Sequence, residues 1–204
     1  MYTPSKFKVE DPELIHTFIE ENSFGLILSI DGAEIQDTHT PFVLSKDGKY
    51  LLGHIARANP QWKSWSNETA VKIIFTGAHS YISPQFYVSD FAVPTWNYTA
   101  VSVSGKLEFI KDDTEIIKFL DRLVEFNETT DNPWVFDSSD ERYLALLTGI
   151  VCFSVSMDKV EASFKMNQNK SDDDQNKVIN SLSASSCPMN QSVARIMHKN
   201  RQNK

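Results

Sequence analysis

Cysteine is scarce in this sequence: two residues in 204, Cys152 in an apolar run and Cys187 in a polar one. Neither stands in a C-x-x-C pair or at any other metal-ligand spacing, which excludes a disulfide framework and a cysteine-metal centre. Two free thiols in a reducing compartment are expected. No apolar run approaches the roughly 20 residues needed to cross a bilayer. The first stretch, MYTPSKFKVEDPELIHTF, interrupts its apolar residues with charges and Pro4, which argues against a signal peptide. The expectation is a cytoplasmic protein with no membrane contact. Positive charge is also in deficit, with 20 Lys and Arg against 27 Asp and Glu, a formal charge of -7 and a pI near 5.2. That balance weighs against direct nucleic-acid binding, for which only the terminal cluster Arg195–Lys204 offers a basic face.

Several catalytic signatures are missing as well. There is no GxGxxG or GxxxxGK[ST], hence no standard phosphate loop, and no GxSxG nucleophile turn. Neither cysteine has an activating neighbourhood. His39, His54 and His79 fall at no helical metal spacing, so no metal is expected, and no catalytic acid or base stands out.

Apolar residues make up 41% of the chain, enough for one core. Asp11-Pro12 followed by Leu14, Ile15, Phe18 and Ile19 predicts a short amphipathic helix to about Glu21. Phe24–Ile30 reads as a buried strand, Asp31-Gly32 as a hairpin turn, and a second strand runs to about Leu44. Tyr50–Ile55 and Val71–Thr76 supply two more. Residues 77–98, with two prolines and many aromatics, read as a long ordered loop. A strand then runs from Ala100 through Phe109 with a bulge or kink at Gly105, and a helix follows from Lys111. Ser138-x-x-Glu141 fits a capping box for a second helix closed by Gly149. Val151–Met157 reads as the last strand, and Ser171–Leu182 as an acid-capped helix. Residues 183–192 read as a polar linker to a weak terminal helix, dividing the chain into a domain over 1–182 and a basic tail over 183–204. The fold class is mainly β with flanking helices: about six strands, mostly hairpin-connected, in an antiparallel barrel.

The run GHIARANPQW, residues 53–62, is where chemistry concentrates. Asn59 can cap and Pro60 can open a helix with Trp62 and Trp65 on one face, and Arg57 before the cap would let exposed amides and a guanidinium hold a phosphate. The same residues are equally read as a plain helix start with Arg57 meeting a surface carboxylate. Other candidate stretches are Asp37–Pro41 on the second strand, Gly77–Pro84, and Pro94–Tyr98 (PTWNY). Rings beside amides suit a flat heteroaromatic ligand, and they equally suit a lid over a core.

Taken in order, these stretches resemble the PaiB family of FMN-binding split-barrel proteins, over roughly residues 1–182. GHIARANPQW and PTWNY match family motifs intact, and Lys165–Lys170 (KMNQNK) is similar to the family's K-L-S-Q-N-[RK]. Thr40 stands where the family tends to have Leu, Ala78 replaces a proline in the G-P-H-A-Y run, and Ser102 occupies a site often held by histidine. The resemblance implies a six-stranded antiparallel split barrel working as a homodimer, with FMN at the subunit interface. It implies that Arg57, Ala58, Asn59 and His54 hold the phosphate end, and that Thr38, His39 and Ile55 line the ring and ribityl path. From the partner subunit it implies Trp96, Asn97 and Tyr98 over the ring, with Lys165, Gln168 and Asn169 at its polar edge. The activity implied is flavin redox or flavin-linked regulation. A transcriptional regulator acting through partners and a haem-binding split barrel with His39, His54 or His79 as ligand are the alternatives.

Overall fold

The computed structural model describes residues 1–202, side chains being described to residue 201. Among these described residues eight strands form: β1 (Lys8–Val9), β2 (Phe24–Asp31), β3 (Glu34–Leu44), β4 (Tyr50–Ala56), β5 (Thr69–Ile82), β6 (Thr95–Ile110), β7 (Ile150–Ser156) and β8 (Lys159–Lys165). The helices are α1 (Pro12–Glu21), α2 (Asp113–Asn127), α3 (Glu141–Leu146), α4 (Asp172–Ser183) and α5 (Pro188–Gln202). Every strand pair whose register is defined is antiparallel. Pairing follows the order β1-β8-β6-β5-β2-β3-β4-β7, and β6 pairs with β7 in addition. Six strands, β6-β5-β2-β3-β4-β7, therefore return on themselves, the arrangement expected for a split barrel.

The chain divides into two compact units. The larger comprises residues 16–75 and 102–160. Its interior is set by alternation: on β4, Leu51, Gly53 and Ile55 point inward while Leu52 and His54 point the other way. Phe42, Phe75, Phe153 and Trp65 meet edge to face at centroid distances of 5.2–6.2 Å. Gly53 leaves room for the Phe42 and Phe153 rings, since a Cβ there would stand 2.9 Å from Phe42. A second apolar layer joins Val43 and Cys152 to Phe119 of α2, with Leu52, Leu120 and Leu123 packed against it.

The smaller unit comprises residues 1–15, 76–101 and 161–204. Its core gathers Ile82, Tyr87 and Met166 with Val178 and Leu182 of α4 and Val193 and Met197 of α5. Ser171 caps α4 by accepting from the Asp174 amide.

Four expectations change. The long loop over 77–98 shrinks to residues 83–94, because β5 continues to Ile82 and PTWNY already belongs to β6. Small and polar residues between Gly77 and Ser80 hide that continuation, although Gly77, Ser80 and Ile82 are buried. β1 and β8 add two strands to the six expected; β8 buries Ala162, Ser163 and Phe164 consecutively and so shows no period of two. The cap of α3 is Asp140, which accepts from the Arg142 amide at 2.9 Å, rather than Ser138. The expected linker over 183–192 shortens, since α5 opens at Pro188 and buries Val193, Ala194 and Met197.

Candidate functional site

The GHIARANPQW run leaves β4 and enters a five-residue 3-10 turn, Pro60–Ser64. Asn59 caps it as expected, its Oδ1 accepting from the Gln61 amide at 2.9 Å. Trp62 and Trp65 do not share a face. The tight turn buries Trp65 beside Phe153, with Nε1 donating to Ser29 Oγ at 3.0 Å, and folds Trp62 back so that its Nε1 donates to the Arg57 carbonyl at 2.8 Å.

Arg57 is exposed but fixed. Its Nε donates to the Thr148 carbonyl at 2.6 Å and its Nη2 to the Ile150 carbonyl at 2.7 Å, while the Trp62 ring lies 5.6 Å from the guanidinium carbon. Among the described residues no surface carboxylate takes this role; backbone oxygens do. Nη1 takes part in neither bond. The turn's backbone bonds use the amides of Arg57 and Asn59, and Ala58, exposed between them, stays outside that set.

Behind this corner lies a polar network. Thr38 Oγ1 donates to Gln61 Oε1 at 2.5 Å and accepts from Asn59 Nδ2 at 2.8 Å. Gln61 Nε2 donates to Ser29 Oγ at 3.0 Å and to the Gln36 carbonyl at 3.2 Å. Gln61 and Ser29 are each 2% exposed, so the network has a buried centre, with Thr38 and Asn59 half-buried at its outer side. Thr38 and Asn59 are thus brought together, and Gln61 joins them.

The neighbouring candidates face elsewhere. His39 is exposed and stacks on Phe24 at 5.7 Å. Ile55 is core. His54 sits on the opposite side of β4, 5.9 Å from the Phe119 ring, and its Nδ1 is buried without a partner among the described residues. Burial pushes its pKa below the ordinary imidazole value, which favours the neutral ring.

In the smaller unit the expected ring-binding residues divide. Trp96 is half exposed and stands 6.1 Å from His79 and 6.2 Å from Tyr81, an open aromatic patch. Asn97 is wholly buried, with Nδ2 directed to Met197 Sδ at 3.4 Å and Oδ1 unpartnered among the described residues. The Tyr98 hydroxyl accepts from Ser163 Oγ at 3.3 Å. Lys165 Nζ donates to Thr95 Oγ1, and partial burial lowers its pKa. Gln168 spends its amide on the turn after β8, accepting from the Met166 amide at 2.7 Å and donating to the Phe164 carbonyl at 2.6 Å. Asn167 beside it takes the left-handed conformation (φ 59°) that asparagine tolerates, and donates to the Tyr87 hydroxyl at 3.0 Å. Asn169 is exposed.

These side chains suit a flavin mononucleotide in two respects. A guanidinium pinned by two carbonyls is a preorganised partner for a phosphate, and an open Trp–Tyr–His patch offers flat surface to a ring. Among the described residues, no group of three His, Cys, Asp or Glu side chains is placed to hold a metal ion.

Residues 1–159 match the family described as "Putative FMN-binding domain". The "Protease synthase and sporulation protein PAI 2" of Bacillus subtilis (strain 168) is 34% identical over 97% of this chain and 96% of its own. An uncharacterized protein of Emericella nidulans is 28% identical over 81% of this chain and 84% of its own. Among solved structures, the FAD and heme binding protein from Mycobacterium smegmatis superposes with a TM-score of 0.59 at 13% identity, covering 82% of this chain and 78% of that one. The flavocytochrome Anf3 from Azotobacter vinelandii gives 0.56 at 13% identity, covering 78% and 69%. At such identities the two structures speak for the fold: mainly β, antiparallel, with flanking helices. A family model that spans most of the chain, together with the Bacillus relative, places the protein in the PaiB family of FMN-binding proteins, and FMN is the cofactor that membership assigns to it.

Proposed function

We propose that the protein works as a homodimer in which FMN serves as a redox group, held at its phosphate end by Arg57 with the Ala58 amide, in the turn that Asn59 caps. The observation that carries this reading is the fixed guanidinium of Arg57. Because its position is set before any ligand arrives, little side-chain entropy is lost when an anion binds. Thr38 and Gln61 hold Asn59 in its capping conformation, so they act as positioning residues for the same corner. His54, kept neutral by burial, packs against Phe119, Ile55 is core and His39 stacks on Phe24, so these three take no part in that grip.

A partner protomer contributes the ring side: Trp96 and Tyr98 as flat surface, with Lys165 and Asn169 as polar groups and Asn97 and Gln168 as supports for the strand and turn that carry them. A lysine whose charge is made less favourable by burial is eased by an anionic neighbour. When bound, FMN supplies reversible electron transfer; the protein's part is to bind it, orient it and limit water around it.

The homodimer is supported by the outer face of β2. Gly25, Ile27 and Ser29 are buried on one side, yet Phe24, Leu26, Leu28 and Ile30 on the other are also apolar. Ile30 pairs across to Ile35, and the two are 69% and 72% exposed. A strand apolar on both faces calls for cover on both, and a second copy supplies it. A flavin-linked regulatory role, exerted through a partner rather than on DNA directly, is supported by the name of the Bacillus relative and the acidic balance of this chain.

The test is FMN titration of the purified chain and of Arg57→Ala. Losing a charge-assisted hydrogen bond to a phosphate should weaken FMN by about ten- to a hundredfold. Unchanged affinity would refute the phosphate assignment. Sedimentation should show a dimer that Ile35→Glu dissociates, and a monomeric parent protein would refute the shared site.

A further inference from the structure

A cleft of about 650 Å³ opens beside α2, the Leu147–Gly149 turn and β7. Its walls are apolar, with Ile117 from α2, Leu144 from α3 and Leu147 from the turn, and Cys152 of β7 lines it as well. Charge enters through Arg57, Lys111 and one carboxylate, Asp113, a balance of one positive charge. The volume lies within the roughly 300–1,000 Å³ usual for small-molecule sites, and so does the pattern of apolar walls with few polar groups.

Arg57 is tied to this cleft by structure. Thr148 and Ile150, whose carbonyls pin its guanidinium, both line it. Its charge is also felt inside: burial pushes the Cys152 thiol up to about 12, and the Arg57 charge opposes that rise. The thiol is therefore protonated at neutral pH and serves as apolar lining rather than as a nucleophile.

We propose that this cleft binds a small amphipathic anion, its apolar or aromatic body among Ile117, Leu144 and Leu147 and its anionic head on Arg57 and Lys111. Arg57 also figures in the flavin reading, so the test turns on residues that do not.

The full chain is titrated with 8-anilinonaphthalene-1-sulfonate, an aromatic anion, and with N-phenyl-1-naphthylamine, a neutral molecule of similar body. The expected result is one saturable site per chain for the anion, about tenfold or more tighter than for the neutral compound, as a lost charge-assisted bond implies. Ile117→Trp should abolish that site while keeping the parent's FMN content. Equal affinity for the two probes overturns the anionic class, and full binding by Ile117→Trp overturns the location. Should that variant fail to fold, Leu144→Trp decides, and full anion binding by that variant overturns the location. An anion site in a chain that takes up no FMN sinks the flavin reading and leaves this one standing; FMN uptake with no anion site does the reverse.

Discussion

The carboxylate of Asp174, in the first turn of α4, holds the Ser89 end of the β5–β6 connection: Oδ1 accepts from the Ser89 amide at 3.0 Å and Oδ2 from the Ser89 hydroxyl at 2.6 Å. The Val88 amide adds a third bond at 2.8 Å. One side chain thus anchors the loop that leads into the PTWNY strand.

These bonds, the Ser89 hydroxyl foremost, lower the Asp174 pKa from 3.8 to about 2. A carboxyl depressed in the folded state contributes stability that is full above its unfolded value and lost as pH falls through its folded one. The expected outcome is that Asp174→Asn removes part of the loss of stability between about pH 4 and pH 2. In the same variant, hydrogen exchange at the Val88 and Ser89 amides should quicken at neutral pH. Identical acid titrations of parent and variant would contradict the anchoring role.

Gln61 tests the network behind the Arg57 corner. Gln61→Leu leaves Ser29 Oγ short of a partner in a buried setting and Thr38 Oγ1 short of one in a half-buried setting, which costs about 1–3 kcal/mol. Urea unfolding should show that loss as a lower midpoint with an unchanged slope. A midpoint equal to the parent's would mean that water replaces the amide at no cost.

Gly105 is required by close approach. A Cβ there would run into the backbone carbonyl oxygen of Ser156 on β7, a neighbour with no soft torsion to relieve it. Gly105→Ala should cost about 1–3 kcal/mol through strain at the β6–β7 pairing. Gly149→Ala is the control, since nothing lies within 4 Å of the added carbon and its φ is unexceptional. Equal stability of the two variants would contradict the argument.

Much of this molecule was legible from local signals, and the failures have local causes. Asp11-Pro12 and Ser171 start helices because capping is decided by neighbouring residues, and the β2–β3 and β3–β4 turns follow from Gly32 and Gly48, both at positive φ. β8 was hidden because its buried residues are consecutive. The length of β5 was hidden because Gly77 to Ser80 carry no apolar alternation. At the site, the motif around Arg57 was readable but its partners were not, since Thr148 and Ile150 offer only carbonyls and lie 91 and 93 residues away. Gln61 was missed although one signal existed: Ser29 interrupts the apolar run of β2 at an inward position, and a buried hydroxyl there demands a polar partner.

The most direct test of the account is the chromophore itself. Protein purified with its cofactor, or dialysed against FMN, should absorb as a flavoprotein. Denaturation should then release FMN, identified by mass, at one molecule per chain. Material that stays colourless in the presence of FMN, or that releases haem in its place, would contradict the central claim.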